Sequence, residues 1–478
     1  MSDMKATVEP TKQGFSVCGY EKIEYDFEFL DGVFDIANPQ LAEQYQKWQR
    51  CLAVMDLNIF NLYGARLQKY FDHYDITLKM HKTMIGEKAK SMETLLDIVD
   101  TMTEFGIYRK EPVLVVGGGL VTDVAGFACA AYRRNTNFIR IPTTVIGLID
   151  ASVSIKVAVN YGRYKNRLGA YHAPMLTFLD FTFLRTLPVA QIRNGFAELI
   201  KISSCAHKST FDLLDRYCEE FIDTAFGRLD DAPKDIRVAA DRVCRAGIHE
   251  MLKLETPNLH EIMLDRVIAY GHTWSPLHEL VPETPLRHGH AISIDMAYSA
   301  TLSNIRGLLS AEDHERILNL FSRAGLSMDH HQFDGPLLEQ ATSAILKTRD
   351  GKLRAAVPVS PMGTCVFLND VSHAEMCKAL EVHKKIMLKY PRKGEGLDAY
   401  VDASDTGYTV QGAPVENELS SAKNGAHNGN GVKLATGLGS QNGDGKSRTY
   451  SDHVRKDLKD LAHGMNSHIP IVIDSGNM

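Results

Sequence analysis

The stretch EPVLVVGGGLVTDVAGFACAAY, residues 111–132, joins a β-branched apolar run to a helix-like segment through Gly117, Gly118 and Gly119. Glycines at such a junction let an anionic group approach the first backbone amides of a helix, where the dipole favours negative charge. The spacing is not G-x-G-x-x-G, since Thr122 takes the third place. The same residues therefore also fit a plain tight turn, with Asp123 as a first-turn dipole partner. Working outward, CLAVMDLNI (51–59) and FIRIPTTVIGLI (138–149) read as strands, and SMETLLDIVDTMTEFG (91–106) reads as a helix. Strand and helix alternating in this way predict a parallel α/β domain over residues 1–187.

Beyond Pro188 the period changes. QIRNGFAELIKISSCAH (191–207), STFDLLDRYCEEFID (209–223) and AISIDMAYSATLSNIRGLLS (291–310) repeat apolar residues at three and four, which predicts a mainly helical domain over 188–395. From residue 396 the composition turns to glycine, asparagine and serine, with nine glycines between Gly407 and Gly445. Such a segment buries too little apolar surface to offset its ordering entropy, so residues 396–478 are expected to form a disordered, low-complexity tail.

The whole chain has 478 residues, 44% of them hydrophobic, and a net charge of −6. That balance lacks the basic footprint of a nucleic-acid-binding protein. No apolar run approaches membrane-span length, and the first residues carry no signal-peptide core. Eight cysteines without a C-x-x-C pair read as reduced thiols, pointing to the cytoplasm.

Residues that carry chemistry gather in four places. IPTTVIGLIDASVSIKVAVNYGRYKNRLGAYHAP (141–174) holds Asp150, Lys156, Lys165 and Asn166, and follows Arg134. Cations beside an amide suit an anionic, polyhydroxylated ligand, although a solvated basic face has the same composition. NGFAELIK, AYGHTWSP and RHGHAISIDM supply Glu198, His272 and His288. One carboxylate with two imidazoles makes a catalytic zinc set with open positions, the alternative being histidines of purely structural role. Lys201 lies three residues after Glu198 on the same helical face. His278 and His290 remain as acid/base candidates, because imidazole titrates near neutrality.

Taken together, the GGG-x-x-x-D turn, the IPTT…D…K…KN stretch, TLP followed by NGFAELIK, and the Gly-His and His-Gly pairs resemble the sugar phosphate cyclases of the 3-dehydroquinate synthase superfamily. The resemblance runs from about residue 14 to 400. It implies an NAD-binding α/β domain followed by a helical domain holding zinc, with cobalt as an alternative metal, and a homodimer acting on a small sugar phosphate. By the same resemblance, Asp56, Asn58, Glu87, Lys90, Gly118, Gly119, Asp123, Thr143, Thr144, Lys165, Phe183, Thr186 and Leu187 contact NAD, and Glu198, His272 and His288 hold the metal. Arg134, Asp150, Lys156, Lys165, Asn166 and Lys201 then bind or process substrate, and His290 is assigned to proton transfer. Where 3-dehydroquinate synthases carry an Arg, an Asn and a second His around the first metal-binding His, this chain has Asp265, Ala269 and Pro276. Those losses argue against a carboxylated substrate, since buried polar partners left unpaired are costly. Strings such as GYEKIEYD and MLKLETPNLHE resemble the branch that uses sedoheptulose 7-phosphate. A 2-epi-5-epi-valiolone synthase on the same substrate, a 3-dehydroquinate synthase, a metal-dependent polyol dehydrogenase and an inactive NAD-binding scaffold are the alternatives.

The tail composition yields a first test. A chain ending at Asp405 should retain turnover within a few fold of the full chain in a side-by-side rate assay.

Overall fold

The structure, a computed structural model, describes residues 5–402 apart from 85 and 163, together with Asp405. The tail expected beyond that point lies outside the described residues. Twelve strands occur among the described residues: β1 Lys5–Thr11, β2 Gly14–Tyr20, β3 Asp26–Phe29, β4 Arg50–Asp56, β5 Thr77–Thr83, β6 Val113–Gly117, β7 Phe138–Pro142, β8 Lys156–Tyr161, β9 Tyr164–Tyr171, β10 Leu176–Leu179, β11 Ala355–Val359 and β12 Thr364–Leu368.

Six of them form one sheet in the order β3-β10-β7-β6-β4-β5, and every pairing in it is parallel. Strands β4 and β6 are buried almost throughout, as the unbroken apolar runs of a sheet covered on both faces should be. The helices between them carry legible boundaries. In Met92–Phe105, Ser91 accepts the Thr94 N–H at the start, and Gly106 takes the left-handed conformation (φ 66°) at the end. Two antiparallel ribbons stand apart from this sheet, β8–β9 and the exposed N-terminal β1–β2.

Two local readings differ from expectation. FIRIPTTVIGLI is a strand only as far as Pro142; the Thr144 hydroxyl then accepts the Gly147 N–H at 3.0 Å, and Gly147–Ala151 forms a wide helical turn. Proline cannot donate to a ladder, so the strand ends there. The helical half also contains the β11–β12 hairpin, where β-branched residues flank the turn SPMG.

At the centre of the helical half lie Val189–Ala206 and His288–Ile305, buried on nearly all sides. Their closeness depends on two glycines. A Cβ at Gly289 would stand 2.3 Å from the Asn194 carbonyl oxygen, and one at Gly195 would stand 2.3 Å from the Val145 Cβ. The first contact brings the two helices together. The second seats Val189–Ala206 against the segment that leads to Asp150. One apolar cluster consequently runs across the boundary at residue 188, joining Val145, Leu148 and Ile149 to Phe196, Ile200 and Ile292.

The boundary expected at residue 396 is displaced. Gly396 donates its N–H to Ser327 Oγ at 3.0 Å, Leu397 donates to the Gly325 carbonyl at 2.7 Å, and Tyr400 pairs with Leu286. Composition missed this docking because it rests on backbone bonds and a few charges, which apolar content does not register.

The glycine contacts predict a stability difference. Gly289→Ala should lower the unfolding free energy by about 1–3 kcal/mol through overpacking. Gly14→Ala, at a position with no neighbour within 4 Å of the added methyl, should change it by less than about 0.5 kcal/mol; urea denaturation measures both.

Candidate active site

The parallel sheet presents the C-terminal ends of its strands along one edge, where ligands of such sheets bind. Asp56 ends β4, Glu87 and Lys90 follow β5, Gly118 and Gly119 follow β6, Thr143 and Thr144 follow β7, and Thr186 and Leu187 follow β10. Gly118 stands at the start of the Gly119–Ala131 helix without a side-chain cap, leaving the first amides open to an anion. A Cβ at Gly118 would approach Thr144 Cγ2 to 3.2 Å. Asp56 accepts the Ile59 N–H at 2.9 Å, and burial raises its carboxyl above the ordinary range. Lys90 meets Asp123 at 2.5 Å. The Phe183 ring is buried against Phe34 and Tyr63 in the core, so only its backbone faces that edge. Thr186 bonds the Tyr63 hydroxyl at 2.6 Å.

Glu198, His272 and His288 converge in the helical half, with one donor atom from each within 4.8 Å of the others. Glu198 comes from Val189–Ala206, and His288 opens the helix crossing it. The imidazoles are oriented for coordination. His272 Nδ1 faces the Tyr270 carbonyl at 3.2 Å and His288 Nδ1 faces Glu279 Oε2 at 3.3 Å, which leaves both Nε2 atoms for a shared centre. His288 Nε2 lies 3.0 Å from Glu198 Oε1. Burial, with the Lys201 charge, lowers His272 to about 3, keeping it neutral. Burial acts the same way on His288, but hydrogen bonds to Glu198 and Glu279 outweigh it and raise the group to about 10. A carboxylate and two Nε2 atoms anchored through Nδ1 fit a zinc-type cation with open positions.

Around this centre, charges alternate. Lys201 Nζ sits 2.6 Å from Asp150 Oδ2 and 2.6 Å from Glu198 Oε2. Burial pushes Asp150 up to about 6, against the pull of Lys201 and with the push of Glu198. Burial would lower Lys201, yet its two carboxylates hold it above the usual lysine range. Lys165 reaches Glu279 at 2.6 Å and Glu87 at 3.6 Å, linking the β8–β9 ribbon to the partner of His288. Lys156 is held by Glu255 at 3.2 Å and Glu261 at 3.0 Å, beside a cleft of about 120 Å³ that Arg266 and Asn258 also line. Arg140 on β7 fixes the segment between Asp150 and Lys156, donating to the carbonyls of Ala151 and Ser154 at 3.2 and 3.0 Å.

Four expected residues do not join the cluster as read from sequence. His290 is fully buried, and its Nδ1 accepts the Ser327 N–H and meets Ser327 Oγ at 2.9 Å. Two residues beyond His288 on a helix is the opposite face, so His290 does not transfer protons in the site. His278 likewise bonds His330 inside the helical half, at 3.0 Å. Arg134 is exposed at the far end of Gly119–Ala131, about 20 Å from the glycine turn at 1.5 Å per residue. Asn166 is exposed in the β8–β9 ribbon beside Lys165, and its N–H bonds Asn160. Sequence reading missed Glu279, Glu255 and Glu261. Glu279, seven residues after His272, was legible as a carboxylate near an imidazole, whereas pairing it with His288 required the fold.

Residues 80–194 match the family profile described as 3-dehydroquinate synthase N-terminal, and residues 195–349 match 3-dehydroquinate synthase C-terminal. Demethyl-4-deoxygadusol synthase of Trichormus variabilis is 54% identical over 400 residues, which is 84% of this chain and 97% of that protein. The chain belongs to the sugar phosphate cyclases of the 3-dehydroquinate synthase superfamily. Another cyclase, a 2-epi-5-epi-valiolone synthase of an Actinomyces species, is 37% identical, covering 76% of this chain and 95% of that one. The 2-epi-5-epi-valiolone synthase of Streptomyces hygroscopicus subsp. jinggangensis, solved with NAD+ and Zn2+ bound, superposes with a TM-score of 0.71 at 36% identity, over 78% of this chain and 99% of that one.

The donor set makes a direct prediction. Glu198→Ala and His272→Ala should each abolish stoichiometric zinc retention, read by elemental analysis, while far-ultraviolet circular dichroism keeps the signal of the intact sheet.

Proposed function

We propose that this cyclase converts sedoheptulose 7-phosphate to desmethyl-4-deoxygadusol, using NAD+ as a recycled cofactor and zinc as its metal. The similarity to the Trichormus enzyme across nearly its whole length carries the reading. The residues of the site support it. Gly118, Gly119 and the open helix start suit a dinucleotide pyrophosphate, and Glu198, His272 and His288 suit the metal. When bound, NAD+ supplies a hydride acceptor and the metal a Lewis acid for a ring carbinol.

The chain's own groups then do the rest. Asp150, raised by burial and held by Lys201, is placed to accept or return a proton beside the metal-binding carboxylate. Lys201, Lys156 and Lys165 stay cationic in the presence of their carboxylates, so they stabilise phosphate and developing oxyanions rather than act as bases. Loss of phosphoric acid and one water from the substrate balances the gadusol-type enone with no net redox change, so the cofactor returns to its starting state. A polyol dehydrogenase acting on an uncharged alcohol has no use for three such lysines. Ala269 and exposed Pro276 leave no polar partner for a substrate carboxylate, and Asp265 pairs with Arg354 at 3.1 Å. A homodimer in the cytoplasm completes the proposal; the eight cysteines are all unpaired thiols, which agrees with a reducing compartment.

Purified protein incubated with sedoheptulose 7-phosphate, NAD+ and Zn2+ should release phosphate and an ultraviolet-absorbing product without accumulating NADH. A non-absorbing ketone one water heavier would assign the chain to valiolone formation instead, and absence of phosphate release would overturn the cyclase reading.

A further inference from the structure

The segment that composition placed in the tail forms a strap over the start of the metal-facing helix. Its backbone is threaded into the body: Met328 donates to the Gly394 carbonyl at 2.7 Å, Arg287 to that of Ala399 at 2.8 Å, and Val401 to that of Pro285 at 3.0 Å. At Gly396 the fit is tight, because a Cβ there would stand 2.6 Å from Ser327 Oγ and 2.7 Å from the buried His290 ring.

Arg287 is the focus of these contacts. It directly precedes His288 and occupies the N-cap position of His288–Ile305, where no side chain caps the helix. Its own side chain is only 3% exposed, and it meets Asp402 Oδ2 and Asp405 Oδ2 at 2.8 Å each and donates to the Asp398 carbonyl. Asp402, Asp405 and the Asp398 carbonyl, the groups that this guanidinium meets, all belong to the strap. A buried guanidinium without carboxylates is strongly unfavourable, so Arg287 and the strap hold each other in place. A second tie runs from the Tyr400 hydroxyl to His330 Nε2 at 3.0 Å and on to His278. His278 adjoins Glu279, which holds His288 Nδ1. The ligand and its carboxylate partner are therefore both anchored to one C-terminal segment.

We infer that residues 394–402 with Asp405 are a positioning element of the metal site: through Arg287 and Tyr400 they set the orientation of His288, and with it the affinity for a divalent cation. This rests on the reading that Glu198, His272 and His288 bind metal. Outer partners of metal-binding histidines commonly govern affinity by 10–100-fold.

The test uses the full-length chain loaded with Co2+, with affinity read by competition against a chromophoric chelator. Arg287→Lys keeps the charge and loses the planar fork; the double variant Asp402→Asn with Asp405→Asn leaves Arg287 intact and removes its counter-charges; Arg306→Lys, in a remote ion-pair cluster with Asp370 and Glu375, is the control. The first two should bind Co2+ about 10–100-fold more weakly with NAD+ affinity within about two-fold of wild type, and the control should match wild type. Co2+ affinity within two-fold of wild type in the first two variants, or a parallel loss of NAD+ affinity that marks general unfolding, would overturn the strap's role. A wild type that retains no Co2+ would instead overturn the metal reading beneath it.

Discussion

Lys201 is 2% exposed and lies between Asp150 and Glu198 at 2.6 Å from each. Three charges in so dry a place are tolerable only if each meets its opposite in good geometry, because the desolvation cost otherwise exceeds the attraction. Much of the structure meets this demand. Gly195 lets the helix bearing Glu198 and Lys201 press against the segment before Asp150, and Gly289 lets the helix bearing His288 press against Asn194. The Gly289 N–H then bonds Asn194 Oδ1, so the same approach that creates the contact satisfies a backbone donor at a helix start.

The charge pattern extends beyond that triad and crosses between the two halves. Lys165 on the β8–β9 ribbon reaches Glu279, Glu279 reaches His288, and His288 reaches Glu198. A cofactor at the sheet edge and a cation at the helices would thus share one electrostatic environment. Since an apolar cluster also runs across the boundary, from Val145 to Phe196 and Ile292, the halves hold the site at their junction by packing as well as by charge.

Three lysines near the site keep their charge by the same device. Lys201 is buried and Lys165 and Lys156 are partly exposed, yet each is kept cationic by carboxylates: Lys201 by Asp150 and Glu198, Lys165 by Glu279 and Glu87, Lys156 by Glu255 and Glu261. Asp150 is the counterpart, a carboxyl raised to about 6 by burial. Groups whose environments push their proton affinities apart can divide acid–base work from charge stabilisation.

By itself the sequence determined what depends on local chemistry and period. The glycine turn at 117–119, the capped helix from Ser91 to Gly106, and the change from alternating strands to three-and-four spacing near Pro188 are all short-range patterns, and each reappears in the fold. The residue types of Glu198, His272 and His288 pointed to a metal for the same reason. Only tertiary structure decided which way side chains face and which distant segments meet. His290 looks like its neighbour His288 in the string RHGH, but two steps along a helix turn it into the core against Ser327. Glu279 becomes the partner of His288 only after a turn of chain returns between them, and residues 396–402 dock although their composition resembles a tail. Composition measures how much apolar surface a segment can bury; it does not register a few backbone bonds and one buried arginine whose counter-charges lie more than a hundred residues away.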